Sequence, residues 1–234
     1  MFEGHFFYNS YTKRYDFNNE EWIPFPTGHS YVSMGFLSQI YYGIFDYLTI
    51  RLSLPMLMKN RDYGTSQKST GIGDVYFDFK HKIVEGRYFI PTISWFGGAR
   101  FPTGDKDADP PLGDGSIDGL IGLLVTEELV LLKSHISCGY WYNGKVNGND
   151  IPDMFFYNAT LEYSLPAQFA LVGEANGNVV GSGVDQKYVF ELCPGLTNKS
   201  ITGLILEASV KIPIKTRSEL RYDYSSFVGL MYFF

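Results

Sequence analysis

Ionisable side chains fall at every second position in several stretches, and their chemistry is the first question the sequence raises. Arg51, Asp74, Asp78, Lys80, Arg100, Asp118, Lys133, His135, Glu162, Glu174, Glu191 and Glu207 all lie on the face opposite their apolar neighbours. Lys82, Lys187, Lys211, Arg221 and Asp223 follow the same phase. Both signs are present in similar numbers. Such a lining serves either a hydrated path with a mixed constriction or a salt-bridged filling that closes a narrow interior. The two readings stay open at this level.

Catalysis finds little support. There is no Gly-x-Ser-x-Gly, His-Glu-x-x-His, Gly-rich phosphate loop or paired-Cys motif. His135 with Ser137 on one inward face is the single near approach to a base and a nucleophile. His81 falls on the outward face with no second ligand spaced to help it bind a metal. No cofactor, metal or catalytic residue is therefore expected. The acidic run Asp105-Lys106-Asp107-Ala108-Asp109 begins like a calcium loop. Pro110 stands where an EF-hand needs Gly, and Ser116 where its Glu should be, so a solvated external loop is the expectation, with loosely held Ca²⁺ as the alternative.

The elements that must carry these residues are strands. Of 234 residues, 17% are aromatic, 19% charged and 45% hydrophobic, yet no apolar run reaches the length of a membrane helix. Many apolar residues interleaved with polar ones suit a transmembrane β-barrel. The last stretch shows this well. Counting back from Phe234, the positions Tyr232, Leu230, Val228, Ser226, Tyr224 and Tyr222 share one face. An apolar edge strand at a chain end is a liability in water, so this one is expected to close a barrel by pairing with the N-terminal segment, residues 5–15. Leu48, Ile50, Leu52, Leu54, Met56 and Met58 form the cleanest alternation, with Thr49, Arg51, Ser53 and Lys59 opposite. Phe89, Pro91, Ile93 and Trp95 mark another outward face, and Phe7, Tyr76, Phe96, Phe156 and Phe227 are placed inward. Residues 60–70 read as too hydrophilic for a strand.

About twelve strands of roughly ten residues emerge, the length that crosses an apolar core at a tilt. Short and long connections alternate, as periplasmic turns and external loops do. The expectation is all-β: one closed antiparallel transmembrane barrel over residues 1–234. Export then implies a signal peptide removed ahead of Met1 in this numbering. A net charge of −6 with no basic patch excludes nucleic acid as a partner. Outer-membrane lipid and lipopolysaccharide are the expected surroundings, with a small-molecule solute or an envelope protein as further partners. Cys138 reads as outward and Cys193 as inward on non-neighbouring strands, which predicts two free thiols.

Several motifs in succession carry a resemblance. Gly71-Ile72-Gly73-Asp74-Val75-Tyr76-Phe77-Asp78-Phe79-Lys80, Phe101-Pro102-Thr103-Gly104-Asp105, Leu112-Gly113-Asp114-Gly115-Ser116, Gly139-Tyr140 and Pro194-Gly195-Leu196 are similar to the outer-membrane family named for a meta-cleavage pathway of phenol degradation. The likeness runs from about Tyr42 to Phe234. It implies a bacterial outer-membrane barrel that passes hydrophobic or aromatic compounds, with no catalytic residues to carry over. A non-transporting barrel that anchors a larger envelope assembly is the alternative.

Overall fold

The computed structural model describes residues 1–17, 19–87, 90–146, 148–182 and 186–234. Inside lipid every backbone N–H and C=O needs a partner, so alternating strands of this kind must close on themselves. They do. The wall comprises β1 (Phe2–Asp16), β2 (Ser30–Phe45), β3 (Leu48–Asp62), β4 in two segments (Ser66–Ile72 and Val75–Val84), β5 (Thr92–Phe101), β6 (Asp118–Glu128), β7 (Leu132–Tyr142), β8 (Met154–Ser164), β9 (Phe169–Val180), β10 (Lys187–Ile201), β11 (Leu204–Arg217) and β12 (Leu220–Tyr232). Each pairs antiparallel with its sequence neighbour, giving a closed barrel of twelve strands. The seam lies between β12 and β1, with Phe2 opposite Tyr232 and Phe6 opposite Val228. The last strand therefore pairs with the first, as its alternation demands.

The packing is inverted relative to a water-soluble protein. Glu3, His5, Gln39, Asp74, Asp78, Asp118 and Glu191 are buried, whereas Leu112, Ala170 and Cys193 are the buried apolar residues among those described. Ile40, Leu52, Leu54, Met56, Ile121, Leu206, Ile212, Val228 and Leu230 face outward. Lipid supplies the apolar partner that a second sheet would supply in a sandwich. Leu52→Arg, near the middle of β3, should lower the folding free energy by about 2 kcal/mol in a urea titration into lipid vesicles. Both cysteines are free, Cys138 exposed and Cys193 buried.

Three expectations need correction. Residues 60–70 are not a plain loop: β3 runs on to Asp62, and its upper half pairs with Ser66–Ile72 (Asp62 with Ser66, Met58 with Thr70). This hairpin projects beyond the apolar belt, so it needs a backbone ladder but no greasy face. Tyr222 does not share the lipid-facing side of Tyr224. Register shifts between Asn9 and Lys13 of β1 break the alternation, and the Tyr222 hydroxyl donates inward to Glu191. Loop lengths alternate less cleanly than expected, because β10 and β11 extend to Ile201 and Arg217 and leave two-residue turns at 202–203 and 218–219. The outward position expected of Phe89 lies outside the described residues.

Candidate functional site: the barrel lumen

Inward residues of β1 begin the site. Glu3 and His5 alternate with Gly4 and so face the interior together. Nε2 of His5 lies 2.7 Å from Glu3 Oε1, and Nδ1 lies 2.8 Å from Glu207 Oε1. Glu207 belongs to β11, and the intervening strand passes beneath this contact at Gly229, which is paired with both His5 and Glu207. Only a residue without a side chain leaves that room, since a Cβ there would come 2.6 Å from His5 Nδ1. On the other side, the Tyr41 hydroxyl donates to Glu3 Oε2 (2.5 Å) and accepts from Arg51 Nη1 (3.4 Å). Arg51 Nε and Nη2 each reach Asp78 Oδ2 at 2.8 Å. A continuous polar chain thus runs from Glu207 on β11 to Asp78 on β4.

The second group belongs to the loop of residues 102–117. Asp118 is fully buried at the foot of β6 and accepts from Arg100, from Ser116 Oγ (2.6 Å) and from the Gly144 backbone N–H (2.9 Å). Arg100 also pairs with Asp114 and lies over the Trp141 ring at 5.8 Å. Asp74, freed from the ladder where β4 is interrupted, accepts from the N–H groups of Gly104 (3.0 Å) and Asp114 (3.2 Å). Lys59 donates to Pro111 O (2.5 Å), Ser69 to Pro110 O, and Arg61 pairs with Asp109. Pro110, Leu112 and Ser116 are buried as a result. The expected solvated loop instead folds into the mouth of the barrel. Asp105 accepts from the N–H groups of Asp107 and Ala108, which shapes the turn at its exposed tip.

Two adjoining cavities share part of the lumen wall. The outer one, about 640 Å³, is bounded by Phe7, Leu37, Leu57, Tyr76, Leu112 and the charged residues Lys59, Asp74, Arg100 and Asp114. The inner one, about 490 Å³, is bounded by Tyr41, Thr49, Lys80, Phe96, Leu124, Ser137 and Phe156. Arg51, Asp78, Leu120 and Trp141 line both, so they mark the level where the cavities meet. Aromatic rings lie flat over glycines on this wall: Phe7 over Gly35, Phe96 over Gly122 and Phe156 over Gly139. That arrangement keeps large side chains in the lumen without blocking it.

The twelve ionisable residues singled out in the sequence are not one ring. Arg51, Asp78 and Lys80 line the inner cavity, and Asp74, Arg100 and Asp118 hold the mouth loop. Lys133 pairs with Glu128 (2.5 Å) beside the short turn at 129–131, away from both cavities. The Nδ1 of His135 shares a 2.8 Å hydrogen bond with the Thr126 hydroxyl, and Ser137 lies on the inner cavity wall. Glu162 pairs with Lys199 (2.5 Å), Glu191 with Lys211 (3.3 Å), and Glu174 faces a small side cavity with Glu207. Glu3, His5 and Lys199 escaped the sequence reading, and Tyr41 and Trp141, whose place at aromatic strand ends suits an interfacial girdle, line the inner cavity instead. The alternation Glu3-x-His5-x-Phe7 was the available signal for the first two.

A closed strand barrel with an apolar outer belt, a polar interior and an inward-folded mouth loop defines the class: a transmembrane β-barrel of the outer-membrane kind. Within that class, the chain belongs to the family described as "Putative MetA-pathway of phenol degradation", which it matches over residues 25–228. Its fold is similar to that of an outer-membrane channel from Pseudomonas putida F1, with a TM-score of 0.83 at 11% identity, over 99% of this chain and 95% of that one. The NanC porin aligns with a TM-score of 0.61 at 9% identity, over 98% of this chain and 100% of that one. The CymD monoaromatic hydrocarbon channel aligns with a TM-score of 0.52 at 8% identity, over 100% and 88% respectively. No curated protein sequence matches the chain.

Proposed function

We propose that this barrel is a channel that passes small apolar or aromatic molecules across the outer membrane. The outer cavity carries the reading. Its volume of about 640 Å³ falls in the range of small-ligand sites, with apolar walls at Leu37, Leu57, Leu112, Leu120 and Trp141. The ions beside it are committed to one another, Arg51 to Asp78 and Arg100 to Asp114 and Asp118. A neutral ring can therefore enter without stripping water from a free charge. The inner cavity continues the path, and the Leu120–Trp141 level is the selective step. The shared family and the resemblance of fold to channels, one of them for monoaromatic hydrocarbons, support the same reading.

The test is uptake of ring-labelled phenol and toluene by a Gram-negative strain with and without the barrel. Expression should speed uptake, and Trp141→Ala should speed it further for two-ring solutes. Equal uptake with and without the barrel would remove the proposal. The inward-folded mouth loop favours a second reading, a non-transporting anchor for an envelope assembly. A stable partner recovered from native membranes, together with no conductance, would support that one.

A further inference from the structure

One contact in the polar chain is incomplete. His5 is only 6% exposed, with Phe227 stacked on its ring at 4.7 Å. Nδ1 lies 2.8 Å from Glu207 Oε1, yet the direction of approach makes no hydrogen bond and the atom is sealed from solvent. A neutral imidazole has one N–H, so one of its two carboxylate neighbours faces a lone pair. Glu3 is served on both oxygens, by His5 and by Tyr41. The unmet contact is therefore on the Glu207 side, and among the described residues no lysine or arginine pairs with Glu207. One ligand atom from each of Glu3, His5 and Glu207 lies within 4.8 Å of the others. Glu3 meets the ring at Nε2 and Glu207 at Nδ1, so a single ion requires one carboxylate to swing to the other's side of the imidazole. A cavity of about 200 Å³ adjoins Glu207, walled also by Glu174, Cys193 and Thr197 and by no lysine or arginine. The Thr197 hydroxyl is likewise buried without a partner.

We propose that Glu3, His5 and Glu207 bind a divalent transition-metal ion of the Zn²⁺ type inside the lumen. Imidazole with two carboxylates suits zinc, nickel or copper, whereas Ca²⁺ and Mg²⁺ want oxygen ligands alone. Waters in the side cavity complete the coordination. The ion ties β1 to β11 across Gly229 and adds positive charge beside Glu207, which no lysine or arginine pairs among the described residues. A proton on His5 is the competing way to fill the same gap, and it separates cleanly by experiment.

Tag-free protein, refolded in detergent and stripped with EDTA, is titrated with Zn²⁺ and in parallel with Ca²⁺ by calorimetry. The expected result is saturable uptake of Zn²⁺ at one ion per chain, with no comparable heat from Ca²⁺. Glu207→Gln and His5→Gln should abolish the uptake, and His29→Gln, in the loop before β2, should leave it intact. Heat-dependent gel migration reports whether each variant has closed its barrel. Should His5→Gln fail that check, the nearly isosteric Glu207→Gln decides alone. Absence of saturable zinc uptake in the unaltered protein, or uptake unchanged by Glu207→Gln, overturns the proposal.

Discussion

Replacing residues 105–115 by a short Gly-Ser linker should raise single-channel conductance in planar bilayers several-fold. Those residues supply Pro111, Leu112, Gly113 and Asp114 to the wall of the outer cavity, and Leu112 is buried there. Without them the mouth opens, and the narrowest level passes to Arg51–Asp78 facing Leu120–Trp141. A barrel of twelve strands is wider than the eight-stranded kind that side chains fill, so removing the loop leaves space that water occupies. Asp74→Ala offers a milder version. It removes the acceptor for two loop N–H groups and should produce flickering openings in place of a steady increase. Conductance unchanged by the excision would mean that the lumen is closed lower down.

Asp118→Ala should be among the most destabilising single changes in the chain. The Asp118 side chain is completely enclosed and answers three donors on separate elements: Arg100 on β5, Ser116 in the mouth loop and Gly144 beyond β7. Its loss leaves part of the Arg100 charge and the Gly144 N–H without a partner, while the Ser116 hydroxyl keeps Asp114 Oδ1 at 2.9 Å. Removing one member of such a buried pair costs about 3–5 kcal/mol, and the surviving contact from Arg100 to Asp114 places this case near about 3. Urea titration of folding into lipid vesicles measures it, and Asp118→Asn, which keeps an acceptor, should lose clearly less. The exposed pair Lys145–Asp150 gives the contrast, since water screens it and its removal should leave the unfolding midpoint almost unmoved.

Alternation made the two faces of the wall legible before any coordinates. Leu48 through Met58 and Val228 through Tyr232 point into lipid because period two allows only one other arrangement, and that one buries Arg51 in acyl chains. The pairing of the last strand with the first followed from the same logic. What alternation cannot supply is height along the barrel or position around it. Lys133 and Arg51 share a face in the sequence, yet one sits beside a turn and the other at the junction of two cavities. Lys199 was overlooked because strands of roughly ten residues were expected, whereas β10 runs on to Ile201 and lets Lys199 meet Glu162. Tyr222 was misplaced because two register shifts against β1, on either side of Tyr11, interrupt the alternation there. The mouth loop was misread because its polar residues find partners on the barrel wall instead of water, and composition does not distinguish those fates.

Gly229 has a bearing on how the barrel comes together. The seam between β12 and β1 joins the two ends of the chain, so it brings together the strands most distant in sequence. His5 reaches Glu207 by passing over Gly229, and that contact exists only when the seam is shut. The side chains of β1 and β11 therefore act as a latch across the last strand and hold the two ends of the chain together.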